Sequence, residues 1–148
     1  MSGITLVVED ASWRKARGVQ TRLKQAAEAA ARAVKLKGDV TILLADDRKL
    51  NDLNLDFRGK DKPTNVLSFP GSGDYAGDIA IAYGVTRAEA EAAGKRFADH
   101  AVHLTVHGVL HLAGYDHERP KDAKVMEPLE VKILRRLGIA DPYAMIAR

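Results

Sequence analysis

Three histidines in the last third of the chain have the spacing of metal ligands. His107 and His111 are four residues apart, so on a helix their imidazoles lie on one face about one turn apart. Two histidines at this spacing are able to bind one ion. Gly114 follows three residues later and is able to turn the chain back, which brings His117 toward the same point. The pattern therefore predicts a metal site with three histidine ligands.

Such a ligand set indicates catalytic chemistry. Three neutral imidazoles leave one position of a tetrahedral ion open for water, an arrangement typical of catalytic rather than structural zinc. A bound ion lowers the pKa of that water to about 7, so that hydroxide is available at neutral pH. Imidazoles also suit nickel, copper and iron, and the three residues alone do not choose among these metals.

The neighbours of this cluster have two interpretations each. His103, one turn before His107, is either a packing residue or a hydrogen-bond partner of the site, and His100 is predicted to lie on the surface. Asp116 either orients a ligand imidazole or caps the turn that follows the helix.

The histidine spacing is also that of the metzincin proteases, H-x-x-x-H-x-x-G-x-x-H. Those enzymes place a glutamate directly after the first histidine as the general base. Here that position is Gly108, which has no side chain to take a proton from water. Peptide hydrolysis by that route is therefore disfavoured.

Composition narrows the chemistry further. The 148 residues include no cysteine, which excludes disulfides, thiolate metal sites and a cysteine nucleophile. Any metal must then be bound by histidine or carboxylate. The length suits one domain, and 46% hydrophobic residues are ordinary for a folded protein. The net charge of +3, from 23 basic and 20 acidic residues, permits RNA binding without requiring it.

The chain shows no apolar run long enough to cross a bilayer, and its first residues do not have the pattern of an export signal. We therefore expect a cytoplasmic protein that does not associate with membranes.

Hydrophobic patterns predict the elements that must position the histidines. Strands are expected at residues 4–8, 39–45, 66–69 and 78–83. Helices are expected at residues 12–37, 46–55, 86–112 with a break near Gly94, and 121–137. Thr86 and Glu89 fit a capping box at the start of the third of these. The sequence thus predicts a single compact α+β domain with about four strands in a mixed sheet, about five helices, and the metal site at the end of a central helix.

Two long motifs resemble those of a known family. Residues 107–117 read H-G-V-L-H-L-A-G-Y-D-H, and residues 58–70 read R-G-K-D-K-P-T-N-V-L-S-F-P. Both look like signatures of the YbeY family of bacterial endoribonucleases, and the shorter Gly77-Asp78-Ile79 and the tail at residues 137–143 also fit. The resemblance extends over nearly the whole chain.

The resemblance implies a metal-dependent hydrolase of residues 1–148 that cleaves single-stranded RNA. It implies a role in 16S rRNA 3′-end maturation and in quality control of the small ribosomal subunit, with ribosomal or GTPase assembly proteins as partners. It also implies one zinc ion bound by His107, His111 and His117 plus water, with His111 and Arg58 as catalytic residues. Arg58 is predicted to stand in a constrained loop, where its guanidinium suits a phosphate.

Two alternatives stay open beside this hypothesis. The protein could be a non-catalytic ribosome assembly factor, in which the metal only fixes the helix end against the following loop. A metzincin-like hydrolase is the weaker alternative because of Gly108. Loss of RNA cleavage on substitution of His111 or Arg58 would separate the nuclease from both.

Overall fold

A four-stranded mixed sheet forms the centre of the structure, a computed structural model that describes residues 3–143. The strands are β1 (Ile4–Val8), β2 (Asp39–Ala45), β3 (Val66–Pro70) and β4 (Tyr75–Ala82). Their order is β1-β2-β4-β3; the first two neighbouring pairs are parallel and β3 runs antiparallel to β4. β3 is therefore an edge strand, which tolerates Pro70 as its last residue.

Helices cover both faces of this sheet. They are α1 (Val19–Ala33), α2 (Asp47–Arg58), α3 (Tyr83–Ala92), α4 (Phe97–Leu112) and α5 (Pro120–Arg136). Alternate residues of β4 point to opposite faces, so Ile79 and Ile81 join a large core with α1, α4 and α5. Ala80 and Ala82 join a smaller core with α2. None of the described helices is long and apolar enough to cross a membrane.

The large core is centred on α4, which packs against α1, α3, α5, β3 and β4. Nine of its 16 residues, all from Ala101 onward, are buried, so its position relative to the sheet is fixed along most of its length. Its histidines at 100, 103, 107 and 111 follow one another at steps of three or four residues and face a cleft. The predicted fold class is confirmed, and α4 is the predicted central helix.

Several predicted boundaries are also confirmed. β1 and β2 have the predicted bounds, and Asp46 caps α2 by accepting a hydrogen bond from the Lys49 amide at 2.8 Å. The predicted break near Gly94 separates α3 from α4.

The predicted single helix over residues 12–37 was wrong. A short 3-10 helix, Ala11–Arg14, is followed by a turn, and α1 begins only at Val19. Gly18 separates the two because its φ of 78° lies in the left-handed region. The buried Trp13 indole donates to the Ala45 carbonyl at 2.9 Å, which holds the first segment against β2.

The predicted capping box was wrong as well. α3 begins at Tyr83, directly after β4, so Thr86 lies inside the helix and not at its N-cap. Its hydroxyl donates to the Ala82 carbonyl, the bond that threonine commonly makes four residues back along a helix.

Candidate metal centre

The end of α4 presents two of the three predicted ligands, and the turn after it presents the third. The Gly114 amide bonds to the His111 carbonyl at 3.0 Å, and the Tyr115 amide bonds to the Leu110 carbonyl at 3.0 Å. These two bonds form a Schellman motif, in which Gly114 takes a φ of 99°. The motif reverses the chain, so that His117 returns to the face of α4 that carries His107 and His111.

Asp116 fixes the backbone of this turn. One oxygen of its carboxylate accepts hydrogen bonds from the amides of His117 at 2.6 Å and Glu118 at 3.1 Å. These bonds lower the pKa of Asp116, which keeps it ionised. Of the two interpretations of Asp116, the structure therefore supports the capping one.

The three imidazoles converge on one point. Nε2 of His111 lies 3.0 Å from Nε2 of His107 and 3.1 Å from Nδ1 of His117. Ligand nitrogens of a tetrahedral zinc ion, with bonds near 2.0–2.1 Å, are about 3.3 Å apart. Each imidazole nitrogen carries either one N–H or one lone pair, so Nε2 of His111 is able to form a good hydrogen bond with only one of its two neighbours. A cation placed between the three nitrogens would use a lone pair from each. The donor set therefore fits one metal ion.

The protonation state of His111 favours the same conclusion. Burial lowers its pKa, and the proximity of the His107 and His117 imidazoles lowers it further, to about 4. His111 is therefore neutral at physiological pH, which leaves its nitrogen free to bind a metal.

A buried carboxylate supports the cluster from behind. Glu130 of α5 is fully buried, and its Oε1 lies 3.2 Å from Nδ1 of His107. Its Oε2 lies 2.9 Å from Nε2 of His103, and the Tyr143 hydroxyl donates to Oε1 at 3.0 Å. A carboxylate that accepts from Nδ1 leaves Nε2 of His107 free to bind a metal, the usual arrangement behind a histidine ligand.

Burial alone would raise the pKa of Glu130, but the hydrogen bonds from His103 and His107 outweigh burial and hold it at about 2. His103, His107 and Glu130 form a second group whose ligand atoms lie within 4.8 Å of one another. Their separations are those of hydrogen bonds, so the group is a donor–acceptor network.

Sequence reasoning missed Glu130. The spacing of the residues around Glu130 could have revealed it. Met126, Glu130 and Ile133 are four and three residues apart, so they share the buried face of α5. A glutamate on an otherwise apolar face is costly unless it is paired, and that requirement points to a polar partner across the interface.

The imidazole cluster opens onto a cleft of about 780 Å³. Arg58 and Lys60 line it, together with Ser68 of β3. Arg58 does not stand in a loop, as the sequence predicted, because α2 continues to Arg58 and ends only at Gly59, where φ is 69°. Its side chain is exposed and has no ion-pair partner among residues 3–143.

The prediction that His100 lies on the surface was also wrong. It lines the same cleft, its side chain is only 12% exposed, and its Nε2 lies 2.9 Å from Oε1 of Glu89. Its place on the cleft side of α4, packed close to α3, accounts for its burial.

Gly108 faces the sheet and not the cleft. A Cβ at this position would lie 2.9 Å from Cγ2 of Ile79 and 3.3 Å from Oγ of Ser68, whose hydroxyl donates to the Gly108 carbonyl. The close approach of α4 to β3 and β4 therefore leaves no room for the glutamate of a metzincin.

Residues 8–138 match a model of the family described as endoribonuclease YbeY. The chain belongs to the YbeY family. A relative named endoribonuclease YbeY from Rhodopseudomonas palustris is 46% identical over 151 residues, which cover 94% of this chain and 80% of the relative. Another, from Methylocella silvestris, is 52% identical over 130 residues, covering 84% and 71%.

A solved structure agrees with these matches. The solution structure of a Thermotoga maritima protein superposes with a TM-score of 0.62 at 29% identity, over 93% of this chain and 89% of that one. The YbeY resemblance predicted from the two motifs is thus confirmed.

Proposed function

We propose that this chain is a metal-dependent endoribonuclease specific for single-stranded RNA. We assign the activity to one hydrolase domain of residues 1–148, of which residues 1–2 and 144–148 lie outside the described part. The observation that carries the proposal is the convergence of three imidazole nitrogens beside a cleft lined by Arg58, in a member of the YbeY family.

In this proposal His107, His111 and His117 bind one zinc ion. The bound ion would supply Lewis acidity toward the phosphate and make a coordinated water more acidic. Glu130 orients His107 through Nδ1, and the Asp116 turn places His117. Arg58, free of other ion pairs among the described residues, binds phosphate oxygens through its guanidinium, where charge increases in the transition state.

The proposed substrate is ribosomal RNA. We assign the protein to 16S rRNA 3′-end maturation and to quality control of the small subunit, in the cytoplasm, with ribosomal or GTPase assembly proteins as partners. Family membership supports this assignment. The cleft supports it too, because it presents the cations Arg58 and Lys60 beside other polar side chains, in a groove rather than on a flat surface suited to a duplex.

The test combines metal analysis with an RNA-cleavage assay. We expect about one zinc per chain, cleavage of single-stranded RNA that chelator abolishes, and loss of both metal and activity in His111→Ala. Arg58→Ala should keep the metal but lower the rate by about 10²–10³, since it removes a transition-state contact. Arg32→Ala, an exposed arginine of α1, is the matched control.

Wild-type cleavage rates in both the His111 and the Arg58 variants would refute the proposal. A folded, zinc-loaded wild-type protein that binds the small subunit but cleaves no RNA would instead support the assembly-factor hypothesis.

A further inference from the structure

Three polar residues stand together in the same cleft, apart from the imidazole cluster. They are Asn65 at the start of β3, Glu89 of α3 and His100 near the start of α4. Asn65 Nδ2 donates to Oε1 of Glu89 at 3.1 Å, and Nε2 of His100 lies 2.9 Å from the same oxygen. Neither contact touches a proposed metal ligand, so the metal site does not account for this group.

The orientation of the Asn65 amide is set by the backbone. Its Oδ1 accepts from the Val66 amide at 2.7 Å, which leaves the NH₂ group directed toward Glu89. One hydrogen of that NH₂ meets the carboxylate, and the other has no acceptor among the described residues. Asn65 therefore presents one N–H at a defined place on the cleft wall.

Glu89 presents acceptors beside that donor. Its side chain is 42% exposed, so its carboxylate faces the cleft rather than the core. Asn65 and His100 both contact Oε1, which fixes the carboxylate, and Asn65 Nδ2 lies 3.4 Å from Oε2. Because a carboxylate accepts about four hydrogen bonds, the capacity that is left lies mainly on Oε2. A phosphate would be repelled here, whereas Arg58 and Lys60 attract phosphate elsewhere on the cleft wall. Glu89 therefore suits a partner that offers hydrogen-bond donors and carries no negative charge.

From this juxtaposition we infer that Asn65 and Glu89 form a binding site for a guanine base of single-stranded RNA. The inference rests on the proposed function. The Watson–Crick edge of guanine presents two adjacent donors, N1–H and the N2 amino group, next to the acceptor O6. Oε2 of Glu89 accepts from both donors and the free Asn65 N–H donates to O6. Adenine, cytosine and uracil do not present this order of groups, and single-stranded RNA leaves such edges available.

The position of this site relative to the metal ligands suits one strand of RNA. His100 and His107 are seven residues apart on α4, which corresponds to about 10 Å along the helix. A base held by Asn65 and Glu89 thus belongs to a nucleotide near the reacting phosphate, but not to the phosphate itself. The site would select where the strand is cut.

The test is the binding of short single-stranded RNAs to the zinc-loaded protein, measured by fluorescence anisotropy. The oligonucleotides are 2′-O-methylated to resist cleavage and contain one guanine, or inosine or adenine in its place. We expect the guanine strand to bind at least about fivefold more tightly than the adenine strand, the span expected for one bidentate base contact. Inosine, which lacks the N2 amino group, should lie between them.

Glu89→Gln should remove the preference, because an amide presents a donor where guanine needs an acceptor. Glu91→Gln is the matched control, since Glu91 is on the same helix, 70% exposed, and paired only with Arg87 among the described side chains. Equal affinity of wild-type protein for the three strands would overturn the inference, and that comparison does not depend on any variant folding.

Mapping of cut sites in a mixed-sequence RNA separates this inference from the proposed function. Cleavage with no base preference would overturn the guanine site and leave the nuclease proposal intact. Guanine-dependent binding without cleavage would support the site and contradict the nuclease proposal.

Discussion

Replacement of Glu130 by glutamine tests whether the buried carboxylate helps to hold the metal. The wild-type carboxylate accepts from His107, His103 and Tyr143. Glutamine has the same length but only one acceptor oxygen, so its NH₂ group must face one of these donors. The orientation of lowest cost directs the NH₂ toward His103, which is able to change tautomer, and keeps the carbonyl toward His107.

The expected loss of zinc affinity follows from the replacement of a charged hydrogen-bond acceptor by a neutral one. His107 would keep a hydrogen bond at Nδ1, but to a neutral amide instead of an ionised carboxylate. Bonds to charged groups contribute about 1.5–3 kcal/mol and neutral ones about 0.5–1.5 kcal/mol, so the loss is about 1 kcal/mol or slightly more. We therefore expect zinc to bind about tenfold more weakly, at the lower end of the 10–100-fold range for residues behind a metal ligand.

The measurement is zinc affinity of metal-free protein, by competition with a chromophoric chelator. Glu127→Gln, three residues earlier on α5 and also at the cleft, is the control and should bind zinc as the wild type does. Thermal unfolding of each metal-free variant confirms that the comparison is between folded proteins. Wild-type zinc affinity in folded Glu130→Gln would refute the supporting role of Glu130.

Substitutions at two further positions test the packing at Gly77 and the pH dependence of stability at His100. Gly77→Ala should destabilise the protein by about 2 kcal/mol or more, because a Cβ there would overlap the backbone carbonyl oxygen of Phe69 and lie 2.7 Å from Cδ2 of Leu112, at a φ of 146°. Gly73→Ala is the control, because Gly73 has a φ of 63° and a Cβ there would meet nothing within 4 Å. Denaturant titration of both variants should show a smaller loss in the free energy of unfolding for Gly73→Ala, and equal losses would contradict the steric argument. Burial lowers the pKa of His100 below its ordinary value of 6.5, so the unfolded chain binds more protons than the folded one as the pH falls below 6.5. The free energy of unfolding should therefore decrease over that range, and His100→Gln should show a smaller decrease; identical pH profiles would refute this assignment.

Local patterns in the sequence were sufficient to predict the elements that depend on short-range interactions. The apolar runs of β1 and β2 predicted both strands with their bounds, and Asp46 predicted the start of α2 but not its end. The histidine spacing and the Gly114 turn predicted which residues come together, since a helix turn and a Schellman motif are both short-range structures.

What could not be predicted depends on contacts between distant segments. The helical pattern continues through residues 12–17, and only the docking of Trp13 onto Ala45 shows why the chain turns at Gly18 instead. Glu130 is 23 residues from His107, and no short-range pattern connects the two. Glu89 and Asn65 meet because β3 and α3 flank the same cleft, an arrangement that only the sheet order reveals.

The three proposed ligands differ in how firmly the protein holds them, and this difference has a kinetic consequence. His107 and His111 are carried by a helix buried along most of its length, whereas His117 is exposed and follows a glycine turn. If the three histidines bind an ion as proposed, the two donors on α4 would be held more firmly than His117. Release of the ion would then begin at His117, because loops open at lower free energy than packed helices. The lifetime of a bound ion would depend on the turn that Asp116 holds, so a substitution there could change the exchange rate without any change in the ligands themselves.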